Sequence, residues 1–484
     1  MNEQSLDPAD WGAYRATLHA AVDEIVDALA GVREGAVWRL VPDAVKAALD
    51  EPLPRGGEPL DATVARYRDL VAPYPTGNAH PRFFGWVHGG GTPAGVLAEL
   101  FAAALNANVG GREHAAVYVE RAVVRWFREL FGFPEGASGV LTSGTSMGNL
   151  LAVVAARDAA LGAGARVHGV AGRRLTAYAA RGVHDCVSKA MRIAGLGTEA
   201  LRIVAVDAAL ALDVSALRAR IAADRAAGAE PFLVVATAGS VDAGAFDPLG
   251  ALADLCREER LWLHVDGAFG AFARLSPAHA HLVAGIERAD SLAFDAHKWL
   301  QAPYAVGCVL FRDETAHRAA FSSSPAYLAR AERGAAAGAP WFADYGLELS
   351  REFRALKLWF TMRHFGVERL AAVVARTCEL AGALAARVEA DPALELLAPV
   401  PLNVVCFRVH PTGMEDEAAL DALNAAIAVA VQESGEAVPS TTRIGGRLAL
   451  RACIINHRTV EEDLDVLLAA VRHAWVAHAS TSSA

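Results

Sequence analysis

The sequence predicts an α/β protein: a mainly parallel sheet covered by helices on both faces, followed by a smaller α/β unit. Three observations carry this. From about residue 80 to about 315, short apolar runs rich in β-branched residues alternate with segments of helical period. Two of those runs, FLVVATA (232–238) and LWLHVD (261–266), flank a segment that reads as one helix. That strand-helix-strand order belongs to a parallel sheet buried on both faces. From about residue 350 the pattern changes to two long helical stretches followed by two further strands.

Taken in order, residues 8–30 read as an amphipathic helix, and the Pro/Gly-rich stretch EPLPRGGEPL follows near residue 51. Residues 1–79 are expected to form an N-terminal arm that packs on a partner subunit. The opening MNEQSLDPADWGAY has no charged-then-apolar signal pattern, which points to a cytoplasmic protein. Within a large unit of residues 80–350, DPLGALADLCREER reads as a helix with Asp247 as N-cap and Pro248 at its first position. SLAFD (291–295) and GCVLF (307–311) are further strands, and RGAAAGAP near residue 335 reads as a mobile loop. A small unit of residues 351–484 holds the helices REFRALKLWFTMRHFG and VERLAAVVARTCELAGALAARVEA. Its strands are NVVCFRVH and RLALRACII.

The 484 residues, 54% of them apolar, suffice for one large core and smaller units beside it. A net charge of −10 and no Lys/Arg-rich run argue against a nucleic-acid or membrane-surface partner, since both need a basic face. No uncharged apolar run approaches a membrane span; Glu99, for instance, interrupts AGVLAELFAAAL. The six cysteines are widely spaced and form no C-x-x-C pair, so they read as reduced core thiols, with no disulfide frame and no metal site.

Lys298, in SLAFDAHKWLQAP, follows a strand end, where α/β sheets place their ligands. A desolvated lysine has a lowered pKa and serves as an imine-forming nucleophile. Asp266 ends the apolar strand LWLHVD, and the small Gly267 and Ala268 after it leave room for a flat ring. A carboxylate there can hold a pyridine nitrogen protonated. At an effective dielectric near 20, a charge pair about 4 Å apart is worth roughly 4 kcal/mol, about three pK units. The turn TSGTSMGN (142–149) offers backbone N–H groups, the hydroxyls of Thr145 and Ser146, and a following helix N-terminus, a cradle for phosphate. It lacks the Gly-Lys-Ser/Thr of a Walker loop. Taken singly, Asp266 reads equally as a cap or surface acid, the turn as a Ser/Thr-rich cap, and His184 before its helix as a packing residue. Their combination is what points to a site.

HPRFFGWVHGG, TSGTSMGNLLAV, the His184 segment, PFLVVATAGSVDAGAFDPL, LWLHVDGAFG, DAHKWL and REFRALKLWF occur together. In order and spacing they resemble the group II pyridoxal-5′-phosphate (PLP) decarboxylases, the family of the aromatic-amino-acid, histidine, tyrosine and glutamate enzymes. The resemblance covers roughly residues 80–460 and implies PLP fold type I, like that of aspartate aminotransferase. That fold has a mainly parallel seven-stranded sheet in the large domain and a smaller C-terminal domain. It further implies that Lys298 carries the cofactor as an imine, that Asp266 pairs with the ring nitrogen, and that His184 stacks on the ring. Gly144, Thr145 and Ser146 would hold the phosphate, with help from His297. The family is dimeric, with active sites at the subunit interface, and the ANVGGREH segment near Asn108 resembles a loop reaching towards the neighbouring site.

The chain departs from the family in two places. Many members carry Asn where this chain has Asp295, and a carboxylate there would repel the phosphate unless protonated or bridged. The family's decarboxylases also carry a tyrosine, in a mobile loop, that protonates the carbanion left by carbon dioxide. Aligning APWFADYGLELSREF puts Phe342 at that place and leaves Tyr345, three residues on, as the candidate acid. A Phe there resembles the plant aldehyde synthases, which use oxygen to turn the same carbanion into an aldehyde. Trp86 and His88 lie in the segment expected to line the substrate pocket, and Trp86 favours an aromatic amino acid. The reading is decarboxylation of an L-amino acid to an amine. Aldehyde synthesis, transamination and retro-aldol cleavage are alternatives on the same fold, and Arg443, Arg447 or Arg451 is a conceivable carboxylate clamp for the second of these. A PLP-binding regulatory protein without turnover is a reading of another class; an assay for carbon dioxide and amine separates it from an enzyme.

Overall fold

The computed structural model describes residues 5–162, 164–323 and 330–482. It opens with three helices, α1 (Trp11–Ala30), α2 (Asp43–Leu49) and α3 (Leu60–Leu70). The Asp10 carboxylate accepts the Gly12 and Ala13 N–H groups and caps α1, so this helix starts three residues later than its sequence pattern suggests. None of the three helices buries a residue, and Trp11, Ile25 and Val26 lie open. The chain is fastened just after α1. The Val37 N–H donates to the Gly435 carbonyl at 2.8 Å, and Arg33 pairs with Asp463 at 2.8 Å.

The next stretch runs α4 (Pro93–Leu105), α5 (Ala115–Phe131), β1 (Ser138–Thr142), α6 (Thr145–Leu161), α7 (Ala165–His168), β2 (Leu175–Ala180), α8 (Asp185–Ile193) and β3 (Leu201–Val204). After these come α9 (Val214–Ala226), β4 (Glu230–Thr237), α10 (Leu249–Glu259), β5 (Trp262–Asp266), β6 (Ser291–Asp295), β7 (Gly307–Phe311) and α11 (Glu314–Phe321). The seven strands form one sheet in the order β1-β7-β6-β5-β4-β2-β3. Every pairing is parallel except those of β7, which runs antiparallel to β1 and to β6. β1, β2, β6 and β7 are buried along their whole length. Burial on both faces is why these strands read as continuous apolar runs and not as alternating ones.

Register places the chemistry. Gly307 pairs with Thr142 on one side and with Asp295 on the other, so β1 and β6 end at one edge of the sheet. Thr237 pairs with Asp266, which brings the ends of β4 and β5 to that same edge. Gly307 is required there by close approach: a Cβ would lie 2.8 Å from Gly144 and 2.9 Å from the Asp295 carboxylate.

The expected capping role of Asp247 does not hold. α10 begins at Leu249 with Pro248 in the cap position and no side-chain cap bond. The Asp247 carboxylate instead accepts the N–H of Thr237 at 2.7 Å and of Leu212 at 2.8 Å, clamping the end of β4. Burial pushes its pKa up to about 6, against the pull of those two amides. The stretch near residue 335 is also held, contrary to expectation. Glu113 N–H donates to the Ala335 carbonyl, and Arg121 donates to the carbonyls of Gly338 and Pro340.

The remainder comprises α12 (Ala355–Ala390), β8 (Leu394–Leu396), β9 (Val404–Val409), α13 (Glu417–Ser434), β10 (Ser440–Ile444), β11 (Arg447–Cys453) and α14 (Glu461–Ser482). The two helices expected from sequence adjoin as α12, broken at Gly366, where φ 72° and ψ 161° interrupt the helical path. The four strands form an antiparallel sheet in the order β10-β11-β9-β8. It shares an apolar core with α12, α13 and α14, including Phe407, Ile427 and Leu467. All six cysteines are free and buried. Among the described residues, no helix is long and apolar enough to cross a membrane.

Candidate active site

The strand ends at the shared edge of the large sheet border a cavity of about 300 Å³. Lys298, Asp266, His184, Thr145, Ser146, His297, Trp86 and His88 all line it, together with Thr237, Asp295 and Tyr304. Residues scattered over more than 200 positions of sequence are thus gathered by one sheet edge, where α/β folds bind their ligands.

Asp266 closes β5 at the cavity floor and is 4% exposed. The Ala268 N–H reaches its Oδ1 at 3.1 Å, and the Asn149 amide donates to its Oδ2 at 2.8 Å. Behind Asn149 runs a buried chain. His264 Nε2 lies 2.8 Å from Asn149 Oδ1, His264 Nδ1 lies 2.9 Å from Ser291 Oγ, and Trp262 Nε1 donates to that hydroxyl at 2.8 Å. Because Asn149 must present its NH2 to the carboxylate, its oxygen faces His264, which donates from Nε2 and accepts at Nδ1 from Ser291. Every donor then points towards Asp266. His264 is neutral, its pKa lowered by burial to about 3. The Asp266 pKa is raised, chiefly by burial, while the Asn149 donor and the Lys298 charge pull the other way. A buried carboxylate of this kind is suited to a cationic partner.

Lys298 sits on the turn after β6 with its Nζ 3.0 Å from Asp295 Oδ2. The other Asp295 oxygen accepts the Thr145 N–H at 2.7 Å, at the N-terminus of α6. Gly144 precedes that amide with its Cα towards Asp295; a Cβ there would come within 3.4 Å of the carboxylate. His297 is held by Val306, whose carbonyl lies 2.9 Å from Nδ1. Burial lowers its pKa, against the nearby Asp295 charge. His184 caps α8, its Nδ1 accepting the Cys186 N–H at 3.1 Å, and this turns the ring towards the cavity.

The outer wall is aromatic. His88, Phe83 and Trp86 form a three-ring cluster, with the His88 centroid 5.7 Å from Phe83 and 5.8 Å from Trp86 and those two 6.0 Å apart, and His88 meets the edge of Tyr304 at 5.8 Å. Burial and the Lys298 charge lower the His88 pKa. The glycine run after it lies against the lysine turn: a Cβ on Gly89 would stand 2.1 Å from the His297 carbonyl and 2.5 Å from that of Lys298. Trp86, at φ 50°, is pinned from both sides, its N–H on Ser440 Oγ and its carbonyl accepting from Arg451 at 2.9 Å.

Two expected site residues lie elsewhere. Tyr345 donates from its hydroxyl to Glu314 at 2.5 Å, with its ring against His317. Phe342 packs under the Arg351 guanidinium at 5.0 Å. Both line a separate cavity with Arg121 and Arg128, flanking the short helical turn at 342–344. The segment at Asn108 is fastened to its own chain, with Val109 bonded to the Arg351 carbonyl at 2.8 Å. Arg443 pairs with Asp421 and Arg447 with Glu395, while Arg451 serves backbone carbonyls of Trp86 and Asp242. None of the three reaches the cavity.

Sequence reasoning missed Asn149, His264, Thr237 and the buried pair Arg351–Glu120. That pair, at 2.6 Å, also holds the Leu141 carbonyl at 2.7 Å and so braces the strand that ends at the phosphate turn. A histidine inside the apolar run LWLHVD was a usable signal, since a buried imidazole demands partners.

The site suits PLP. The hydroxyls of Thr145 and Thr237 are buried and have no partner, so each is free for a ligand oxygen. Thr145 and the N-terminus of α6 fit a phosphate, Lys298 an aldehyde, and Asp266 a protonated ring nitrogen.

Comparison with known proteins agrees with this geometry. The family model described as the pyridoxal-dependent decarboxylase conserved domain matches residues 42–410. An aromatic-L-amino-acid decarboxylase of Bacillus atrophaeus is 33% identical over 451 residues, covering 92% of this chain and 92% of that protein. A phenylacetaldehyde synthase of Arabidopsis thaliana is 30% identical over 490 residues, covering 97% and 96%. The crystal structure of Oryza sativa TDC with PLP and tryptamine superposes with a TM-score of 0.89 at 29% identity, covering 98% of this chain and 100% of that one.

Proposed function

The chain belongs to the pyridoxal-dependent decarboxylases and is a PLP-dependent enzyme, and from that premise we propose that it converts an aromatic L-amino acid to its amine and carbon dioxide. The observation that carries the proposal is the aromatic wall of Trp86, His88 and Tyr304 lining the same cavity as Lys298. A flat side chain fits between such rings, which prefer offset or edge contacts at about 4.5–7 Å.

PLP, when bound, supplies the sink for the electrons released as the carboxyl group leaves. The chain's residues do the rest. Thr145, Ser146 and the N-terminus of α6 would hold the phosphate, and Lys298 would anchor the aldehyde. Asp266 would keep the ring nitrogen protonated, and its buried donor chain favours the ionised acid against the effect of burial. His184 stands at the cavity wall, in place to stack on a flat ring.

The proton returned to carbon comes from Lys298, His184 or a tyrosine hydroxyl. Of the three tyrosines between Lys298 and α12, Tyr345 is bound to Glu314, Tyr304 lines the cavity, and Tyr327 lies outside the described residues. Phe342 lies away from the cavity of its own chain, and aldehyde synthesis stands as the alternative that the product assay decides. None of the three arginines proposed as a carboxylate clamp lines the cavity, which favours decarboxylation over transamination.

We also propose a homodimer, supported by apolar side chains left open on α1 and on α4, where Leu97, Leu100, Phe101 and Leu105 are all about half exposed. Sedimentation of a monomer at micromolar concentration would refute it.

The test of function is incubation with L-tryptophan, L-tyrosine, L-phenylalanine and aliphatic amino acids, following carbon dioxide, amine, aldehyde, ammonia and hydrogen peroxide together. Amine equal to carbon dioxide is the expected result, with aromatic substrates preferred. Peroxide and ammonia in equal yield with carbon dioxide would establish aldehyde synthesis instead, and Tyr304→Phe and Tyr327→Phe would show which hydroxyl guards against it.

A further inference from the structure

The Asp295 carboxylate occupies the place where an anion would be bound. One oxygen takes the first amide of α6 from Thr145 at 2.7 Å, and the other pairs with Lys298 at 3.0 Å. It is 5% exposed, and Gly144 and Gly307 are kept small around it. The same amide and the orphaned Thr145 hydroxyl are the groups that suit the cofactor's phosphate. A carboxylate and a phosphate dianion in one cradle repel each other, and such like-charge pairs favour holding a proton between them. An ammonium at Lys298 poses the complementary problem, because only the neutral amine attacks an aldehyde.

We propose that Asp295 is a proton-carrying partner of the cofactor phosphate: as the phosphate enters, the carboxylate takes a proton from Lys298 and then donates it in a hydrogen bond to a phosphate oxygen. The step balances. An N–H bond of the Lys298 ammonium breaks, an O–H bond forms on Asp295, and the freed amine condenses with the aldehyde, releasing one water. No oxidant or further reactant is needed. One substitution of charge thus removes the repulsion and activates the nucleophile together.

The other ionisable groups facing Asp295 leave Lys298 as its proton source. His297 Nε2 is 3.7 Å away, but burial keeps this ring neutral, and its Nδ1 is engaged with Val306. Tyr304 is pushed above the usual phenol range by burial and by Asp295 itself. Lys357, on α12, acts on His297 but is paired with Glu99 at 2.7 Å.

The inference rests on Lys298 and the Thr145 cradle being the cofactor site, and the experiment separates the two. The full-length protein is stripped of cofactor and reloaded with PLP, and the dissociation constant is read from visible absorbance between about pH 6.5 and about pH 8.5. Wild type is compared with Asp295→Asn, which keeps an acceptor for the Thr145 amide but carries no exchangeable acid. Loading the wild type retains one more proton than loading the variant. The ratio of the two dissociation constants, wild type over variant, should therefore climb about tenfold per pH unit. Pyridoxal, which lacks the phosphate, should give a flat ratio. Infrared difference spectra on loading should show a protonated-carboxyl band in the wild type that the variant lacks. Parallel pH profiles with PLP, or no such band, would overturn the proposal. If neither protein gains colour while Lys298→Ala binds PLP equally well, the site assignment itself has failed. Should Asp295→Asn not fold, Asp295→Ser and the wild-type infrared band carry the same decision.

Discussion

Replacing Asn149 by leucine tests whether the buried donor chain behind Asp266 sustains the charge of that carboxylate. The substitution removes the 2.8 Å bond to Asp266 Oδ2 and leaves the His264 Nε2–H without its acceptor. A hydrogen bond to a charged group contributes about 1.5–3 kcal/mol. In the unloaded variant Asp266 escapes this loss by taking up a proton, the direction in which burial already drives it. In the loaded protein it must stay ionised to hold the ring nitrogen protonated. The missing bond therefore appears in cofactor affinity, as a dissociation constant weaker by roughly tenfold to a hundredfold. The orphaned histidine donor is common to both states. It lowers folding stability by about 1–3 kcal/mol without changing affinity.

The assay is titration of stripped protein with PLP across pH, alongside urea unfolding of the unloaded form. A double-mutant cycle with His264→Phe sharpens it: once Asn149 is gone, removing His264 should cost less than it does alone, because the two act in one chain. A dissociation constant within about twofold of wild type would refute the reasoning and leave the Ala268 amide, 3.1 Å from Oδ1, as sufficient support for the charge.

Three further outcomes follow from particular contacts. Lys298→Ala should remove the visible absorbance band of the loaded protein; its survival would exclude this amine as the anchor. Tyr345→Phe should leave the ratio of amine to aldehyde unchanged and lower stability by about 1 kcal/mol through loss of the bond to Glu314; a change in product ratio measured by chromatography would contradict its placement away from the cavity. Asp247, with its pKa raised to about 6 when folded and near the ordinary carboxylate value when unfolded, favours the folded state when protonated. Its contribution is complete below about pH 4 and is lost as pH rises through about 6, on the order of 3 kcal/mol in all. Asp247→Asn should flatten that part of the stability-versus-pH curve, and an unchanged slope would place the carboxylate outside the titration.

What the sequence disclosed and what it hid divide by distance along the chain. Lys298, Asp266 and Thr145 were legible because each follows an apolar run at a strand end, and a sheet buried on both faces writes its strands as such runs. The bounds of β6 and β7 were readable to the residue for the same reason. Asp247 misled because a short-range rule, aspartate before proline before an apolar helix, competed with two amides that only the folded chain brings near, one of them 35 residues away. Tyr345 misled in the same manner: a three-residue offset in an alignment carries no information about which face of a turn points at a cavity. The pairing of Asn149 with His264 was invisible for a stronger reason, although the histidine itself stood out in its apolar run. Neither residue names its partner locally, since the partners stand 115 and 117 residues apart in sequence. The residues that perform the chemistry were therefore readable from local pattern, whereas those that set its electrostatics were not, because a hydrogen-bond chain is defined by its order in space. For that reason the affinity and pH profiles of Asn149→Leu and Asp295→Asn discriminate more sharply than loss of turnover in Lys298→Ala, which any account of this site would foresee.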